Sequence, residues 1–340
     1  MIEIKKLNKI SPVINDVFSS NYSLSEDFEN PDGILVRSAQ MADYVVNEKL
    51  VAIARAGAGV NNIPVARMAE EGVVVFNTPG ANANAVKELV ICGLFLASRD
   101  IIGGSNWINT VTENTAKSAE KGKSQFAGTE ILGKTLGVIG LGAIGKLVAE
   151  SALNLGMKVV GFDPYLQDNS KLDKRIKIVT LDELFNVSDY ITIHVPYVDS
   201  TKNLINKDAI SKMKDGVIIL NMARGEIVNV SDIKEAIEAN KVRKYVVDFP
   251  SEDVINSKNI IVIPHLGAST EEAEDNCAVM AGKELVDYIE NGNIVNSVNY
   301  PRLTKERTDK KRTCIIFWHW FYNYRDFKIQ NPCNFKSYYH

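Results

Sequence analysis

Two histidines, His194 and His265, one arginine, Arg224, and one glutamate, Glu252, each stand at or just past the end of an apolar run in this chain. Together they could move a proton and hold an anion. Histidine suits the first task, because its unperturbed pKa of about 6.5 lets it take and return a proton near neutral pH. A carboxylate beside the ring would favour the imidazolium and fix its orientation. A guanidinium can grip a carboxylate with two parallel hydrogen bonds. Taking a hydride from an alcohol carbon calls for a base that accepts the hydroxyl proton and a clamp that holds the substrate. His265 lies in "IPHLGAST", 13 residues after Glu252 and just before a helix start in which Ser269 and Glu272 have capping-box spacing. His194 precedes Val195-Pro196 in a run that reads as partly buried. Spacing favours His265 over His194 as the acid/base without excluding either. Plain alternatives stay open as well: a helix-entry histidine, an ordinary acidic loop at Ser251-Glu252-Asp253, a surface arginine in a turn.

A second constellation points to the hydride acceptor. Gly140-Leu141-Gly142-Ala143-Ile144-Gly145 is a GxGxxG run between an expected strand and an expected helix, and Asp163 stands 18 residues beyond Gly145. The first glycine permits a tight turn, the second lets the backbone approach a pyrophosphate, and the third allows close helix–strand packing. The pyrophosphate meets the free N–H groups and positive dipole end of the helix. Asp163 can accept hydrogen bonds from the adenosine ribose hydroxyls and would repel a 2′-phosphate, so NAD is expected rather than NADP.

Elements of a particular kind must carry these loops. Short β-branched runs occur at 134–140 (KTLGVIG), 157–163 (MKVVGFD), 190–195 (YITIHV), 217–222 (VIILNM), 244–249 (KYVVDF) and 259–264 (NIIVIP). Most are apolar almost throughout, as parallel strands covered on both faces are. Helical patterns such as 144–155 and 230–240 separate them. Strands alternating with helices predict an α/β chain with a doubly wound parallel sheet of the Rossmann type. The runs 33–38, 50–56 and 73–78 predict a smaller, flavodoxin-like α/β substrate domain. The helix expected at 271–290 crosses back to it, so that 293–300 completes it and the domain is discontinuous. The expected division is 1–88 for the substrate domain, 89–267 for the NAD domain, 268–301 for the return and 302–340 for an anomalous tail.

The 340 residues suffice for two domains, and a net charge of −3 argues against a nucleic-acid partner. Cys92, Cys277, Cys314 and Cys333 have no CxxC or metal-ligand spacing, so reduced thiols and no metal are expected. No run reaches membrane-spanning length and no signal segment opens the chain, which predicts a cytoplasmic protein without a membrane partner. Residues 302–340 differ from the rest. They hold an excess of six positive charges, leaving residues 1–301 at −9, and the aromatic cluster Phe317-Trp318-His319-Trp320-Phe321-Tyr322. No helical or strand period organises them, and out-of-frame translation past about Pro301 is the expectation.

With these residues in hand, the chain resembles the D-isomer-specific 2-hydroxyacid dehydrogenase family from about Gly33 to Pro301. The likeness rests on "VRSAQM", "RAGAGVNNI", "NTPGANANAVKELV", "GKTLGVIGLGAIGKLVA", "HVP", "NMARGEIV" and "IPHLGAST". It is strongest to the phosphoglycerate-oxidising members, which implies oxidation of a phosphorylated 2-hydroxy acid with hydride passing to NAD. Other D-2-hydroxy acids, such as glycerate or D-lactate, and a non-catalytic NAD(H)-binding role are the alternatives. The resemblance implies that Arg224 binds the substrate carboxylate, that His265 is the acid/base and that Glu252 is its carboxylate partner. It implies that His194, Val195, Pro196, Ala223 and Asp248 line the cofactor site with the glycine loop, Asp248 near the nicotinamide amide. Arg37, Arg55 and Gly57 would contact substrate, and Lys123 would reach its phosphate, in some members from the partner subunit of a homodimer. Asp248-Phe249-Pro250-Ser251-Glu252 is one residue shorter than the family's Asp-Val-Phe-x-x-Glu, a departure that bears on Glu252. Many phosphoglycerate-oxidising members carry a further regulatory domain, whose expected join coincides with the start of the unusual tail.

Overall fold

Two parallel sheets organise the chain, as the alternating runs require. The computed structural model describes residues 1–304, which form one compact unit. The expectation for the tail therefore lies outside the described residues, apart from 302–304.

The first sheet is built from β1 (Ile2–Lys6), β2 (Tyr22–Ser25), β3 (Gly33–Val36), β4 (Ala52–Arg55) and β5 (Val74–Phe76), in the order β2-β1-β3-β4-β5. That is the flavodoxin-like order, in which a crevice opens beyond the strand ends. β1 and β2 carry no strand signal in the sequence, because the alternating IEIKK and YSLS lack the continuous apolar run of buried strands. Helix α1 (Val65–Glu70) leads into β5, and 296–298 closes the sheet's far edge, where the N–H of Val298 donates to the carbonyl of Val75.

Helix α2 (Ala83–Ser98) then crosses to the second sheet, and α3 (Ile101–Ile108) and α4 (Thr115–Gly122) follow it without burying a residue. The second sheet comprises β6 (Thr135–Ile139), β7 (Lys158–Phe162), β8 (Lys177–Ile178), β9 (Tyr190–Ile193), β10 (Val217–Asn221), β11 (Val242–Val247) and β12 (Ile260–Val262). Their order, β12-β11-β10-β9-β6-β7-β8, is the doubly wound one, with the reversal between β6 and β9. Alternate residues serve two cores. Leu136, Val138 and Leu220 face α2 and α5 (Ala143–Asn154). Ile139, Ile191 and Ile219 face α6 (Leu181–Val187), α7 (Lys207–Ser211) and α8 (Val230–Glu238).

Helix α9 (Glu271–Asn291) returns to the first sheet and packs Ala278, Ala281 and Leu285 against it, all fully buried. Its N-cap is Thr270, whose hydroxyl accepts from the N–H of Ala273 at 3.1 Å. The expected Ser269–Glu272 capping box is thus displaced by one residue: Thr270 has the extended backbone of an N-cap, and Ala273 takes the third helical position. Glu271, Glu272 and Glu274 fill the first turn, where carboxylates complement the helix dipole. No helix among the described residues is long and apolar enough to cross a membrane.

Candidate active site

The glycine loop joins β6 to α5 at the reversal of strand order, where an open α/β sheet binds ligands. Gly140 has φ +90°, a conformation that disfavours a side chain, and a Cβ there would stand 2.6 Å from the carbonyl oxygen of His194. A Cβ at Gly145 would land on the carbonyl oxygen of Gly140, so the helix can start this close to the loop only with glycine there. At Gly142, the N-cap of α5, a Cβ would meet nothing within 4 Å. Open space at that position, backed by the first free N–H groups of Ala143 and Ile144, fits a pyrophosphate. Asp163, half-buried at the end of β7, accepts from the N–H groups of Leu141 and Tyr165, both at 2.9 Å. The carboxylate is therefore tied to the loop it serves, with lone pairs left for a diol.

His194 follows β9 with Val195 and Pro196. Its Nε2 lies 2.9 Å from the hydroxyl of Thr192, and burial pushes its pKa down to about 3. A ring that stays neutral at pH 7 can line a cofactor site but is a poor base for neutral-pH turnover. That favours His265 over His194 as the candidate base.

His265 sits in the loop after β12 at φ +56°, an uncommon conformation for a non-glycine residue and one that stores strain of roughly 1–3 kcal/mol. The ring is exposed toward solvent and packs against Phe249, with centroids 4.9 Å apart and planes at 54°. Asp248, almost wholly buried, holds this loop: its two carboxylate oxygens accept from the N–H groups of Leu266 and Gly267, each at 2.7 Å. Burial raises the Asp248 carboxyl against the opposing pull of those hydrogen bonds. The resemblance put Asp248 beside the nicotinamide amide; the geometry gives it the loop itself as partner.

Arg224 follows β10 and Ala223. Its turn is set by Asn221, fully buried, whose Nδ2 donates to the carbonyl of Arg224 at 2.8 Å and whose Oδ1 accepts from the N–H of Ala223. The guanidinium carbon stands 5.7 Å from the Phe249 ring centre. Phe249 is thus flanked by Arg224 and His265. Its value was not legible in the sequence, where it is one apolar residue in a strand end.

Three cationic residues meet at the crevice of the first sheet. Arg55 ends β4, and its Nε donates to Oδ1 of Asn62 at 3.1 Å. Burial, and then the neighbouring Arg224 and Arg37 guanidiniums, lower the Arg55 pKa. Asn62, itself buried, also donates to the carbonyls of Ala39 and Arg37, so one amide ties the ends of β3 and β4 together. Gly57 and Gly59 leave room for the guanidiniums: a Cβ on Gly59 would stand 2.5 Å from Nη2 of Arg224. Arg37 pairs with Glu274 of α9 at 2.6 Å. Neither Asn62 nor Glu274 was singled out in the sequence, although Asn62 lies in the quoted "RAGAGVNNI".

Two expected site residues are not brought to this cluster. Glu252 is exposed in the shortened loop after β11 and makes no hydrogen bond or ion pair with His265. Lys123, exposed just past α4, is ion-paired with Glu120. Among the described residues no cluster of His, Cys, Asp and Glu could hold a metal ion.

Comparison with known proteins shows which family the chain resembles. Residues 94–267 match the family described as D-isomer specific 2-hydroxyacid dehydrogenase, NAD binding domain. A hydroxypyruvate reductase of Thermotoga maritima is 41% identical over 270 residues, covering 76% of this chain and 83% of its own length. A D-3-phosphoglycerate dehydrogenase of Methanocaldococcus jannaschii is 33% identical over 92% of this chain, which spans 60% of that relative's length. Among solved structures, the NAD⁺-bound 3-phosphoglycerate dehydrogenase of Entamoeba histolytica superposes with a TM-score of 0.69 at 26% identity, over 88% of this chain and 98% of that one.

Proposed function

The chain belongs to the D-isomer specific 2-hydroxyacid dehydrogenase family, and from that premise we propose that it oxidises 3-phospho-D-glycerate to 3-phosphohydroxypyruvate. The observation that carries this choice is the gathering of Arg37, Arg55 and Arg224 at one crevice. A substrate with a carboxylate at one end and a phosphate at the other suits several guanidiniums, whereas a single carboxylate needs one.

In this reading Arg224 grips the substrate carboxylate and polarises the reacting C–O bond, held in place by Asn221 below it. Arg55 and Arg37 face the phosphate. His265 takes the hydroxyl proton at a ring nitrogen, its loop fixed by Asp248. Bound NAD, held by Gly142, the start of α5 and Asp163, supplies the acceptor for the C2 hydride. Phe249 shields the space between Arg224 and His265 from water on one side. Glu252 would become a partner of His265 only after its loop moves.

We further read the enzyme as a cytoplasmic homodimer serving the first step of serine biosynthesis. Helices α3 and α4 bury nothing in the single chain while Ile101 and Ile102 lie exposed, which supports a partner at this arm. Lys123 would then serve the other subunit's site. A second reading, reduction of hydroxypyruvate, draws support from the Thermotoga maritima relative, whose length this chain nearly spans. Following NADH consumption with phosphohydroxypyruvate and with hydroxypyruvate decides between them. A kcat/KM at least about tenfold higher for the phosphorylated acid is expected, since a well-paired charged group is worth about 1.5–3 kcal/mol; the reverse preference establishes the second reading.

A further inference from the structure

We propose that Glu274 is a positioning and specificity residue that acts through Arg37, competing with the substrate's anionic tail for that guanidinium. The inference rests on the reading above in taking Arg37 to face the substrate phosphate. Glu274 stands in the first turn of α9, its N–H tied to the carbonyl of Thr270, so the carboxylate starts from a fixed backbone. It accepts one hydrogen bond, from Nη2 of Arg37 at 2.6 Å. The contact is not buried: the two side chains are 39% and 38% exposed. Among the described residues nothing accepts from Nε or Nη1 of Arg37, so the guanidinium is oriented by Glu274 and still has donors to offer.

Charge makes this pair more than a surface contact. Arg37 lies near enough to Arg55 to lower its pKa, and Arg55 in turn lies near Arg224. Glu274 is the acidic partner of this cationic row, so its carboxylate subtracts from the field that a phosphate meets at Arg37. A doubly charged phosphate feels that subtraction roughly twice as strongly as a singly charged group, and an uncharged hydroxymethyl group hardly at all. Glu274 thus aims Arg37 and limits how tightly a phosphate is held, without approaching the reacting carbon.

The test uses Glu274→Gln, which keeps an oxygen that accepts from Nη2 and removes the charge, with Glu274→Asp as the charge-retaining control. The first readout is binding of inorganic phosphate to the NADH-loaded protein by calorimetry, which needs no turnover. For Glu274→Gln the Kd for phosphate should fall about three- to fivefold, the range an exposed ion pair commands, while Glu274→Asp stays within about twofold of the parent. The second readout is a KM-against-kcat split. KM for phosphohydroxypyruvate should fall with Kd while kcat moves less, and KM for hydroxypyruvate should shift by less than about twofold. An unchanged or raised phosphate Kd in Glu274→Gln overturns the proposal, as does an equal change in KM for both acids. Preference of the parent protein for hydroxypyruvate would sink the phosphoglycerate reading alone, because the phosphate Kd reports on Glu274 whichever acid is turned over.

Discussion

Asp248 fixes His265 through the backbone: its carboxylate accepts from the N–H groups of the two residues that follow the histidine, each at 2.7 Å. The clamp spans 18 residues of chain and joins the end of β11 to the loop after β12. With φ +56° at His265, the loop conformation is not one the residue would choose alone. The strain is overcome by two charge-assisted hydrogen bonds in a buried setting, where they are strongest.

Asp248→Asn should therefore impair turnover without abolishing the fold. An amide retains one accepting oxygen and turns a donor toward the other N–H, leaving it unsatisfied at a cost of about 1–3 kcal/mol. The expected loss in kcat/KM is about tenfold or more, with NADH affinity changed less. Steady-state kinetics beside NADH fluorescence titration checks this; a weakened cofactor with intact kcat would mean that Asp248 serves the nicotinamide instead.

His265 and His194 should separate cleanly in their effect on turnover. Burial holds His194 at about 3, so it stays neutral from pH 5 upward and contributes no limb to the rate profile there. The His265→Ala protein should keep NADH binding and lose about 10²–10⁴ in kcat, the usual share of a general acid/base. His194→Asn should keep kcat within about tenfold of the parent. A loss in His194→Asn as large as that in His265→Ala would reassign the base.

How much of this was legible beforehand depends on whether a signal was local. The GxGxxG loop and Asp163 were readable because each glycine answers a backbone demand visible at short range, and the geometry at Gly140, Gly142 and Gly145 follows it. The alternation of apolar runs carried six of the seven strands of the second sheet and its doubly wound character, while the two-residue, exposed β8 escaped. What escaped is long-range or chemically plain. Glu274 meets Arg37 across 237 positions, and Asn62 matters only because β3 and β4 are neighbours. The edge strand β2 and its neighbour β1 escaped because half-exposed strands mix charge with apolar residues. The expected pairing of Glu252 with His265 drew on residue type, a 13-residue spacing and family likeness, none of which fixes side-chain contact, and Glu252 lies exposed in the shortened loop.

The glycine loop yields a paired prediction. Gly145→Ala places a methyl on the Gly140 carbonyl oxygen, which the backbone must move to avoid, so a loss of stability of about 1–3 kcal/mol is expected. Gly142→Ala meets no atom and should leave the melting temperature nearly unchanged while obstructing the pyrophosphate, weakening NADH about tenfold or more. Thermal melting and fluorescence titration of both variants distinguish the two roles. Equal destabilisation by both changes would deny the open cradle at Gly142.

Glu284 supplies a prediction about stability rather than catalysis. It lies on α9, buried, with Oε1 accepting from Nδ2 of Asn296 at 2.6 Å and Oε2 without a partner. Burial raises its pKa from 4.5 to about 7, against the smaller lowering effect of Asn296. In the folded chain the proton is therefore retained over a range where the unfolded chain has already released it. Between about pH 4.5 and 7 the native state binds more protons, so stability falls as pH rises and levels off above the folded pKa. The full difference amounts to about 3 kcal/mol as an upper bound. Glu284→Gln keeps the acceptor for Asn296 and removes the ionisation. It should melt higher than the parent at pH 8, by about 1–2 kcal/mol once its own unpaired amide donors are counted against the gain. By pH 4, where the parent carboxyl is protonated in both states, the advantage should be gone. Melting curves from pH 4 to 8 for the two proteins make the comparison. An offset that does not change with pH would show that Glu284 stays ionised in the folded chain, with its charge met by a group that packing alone does not reveal.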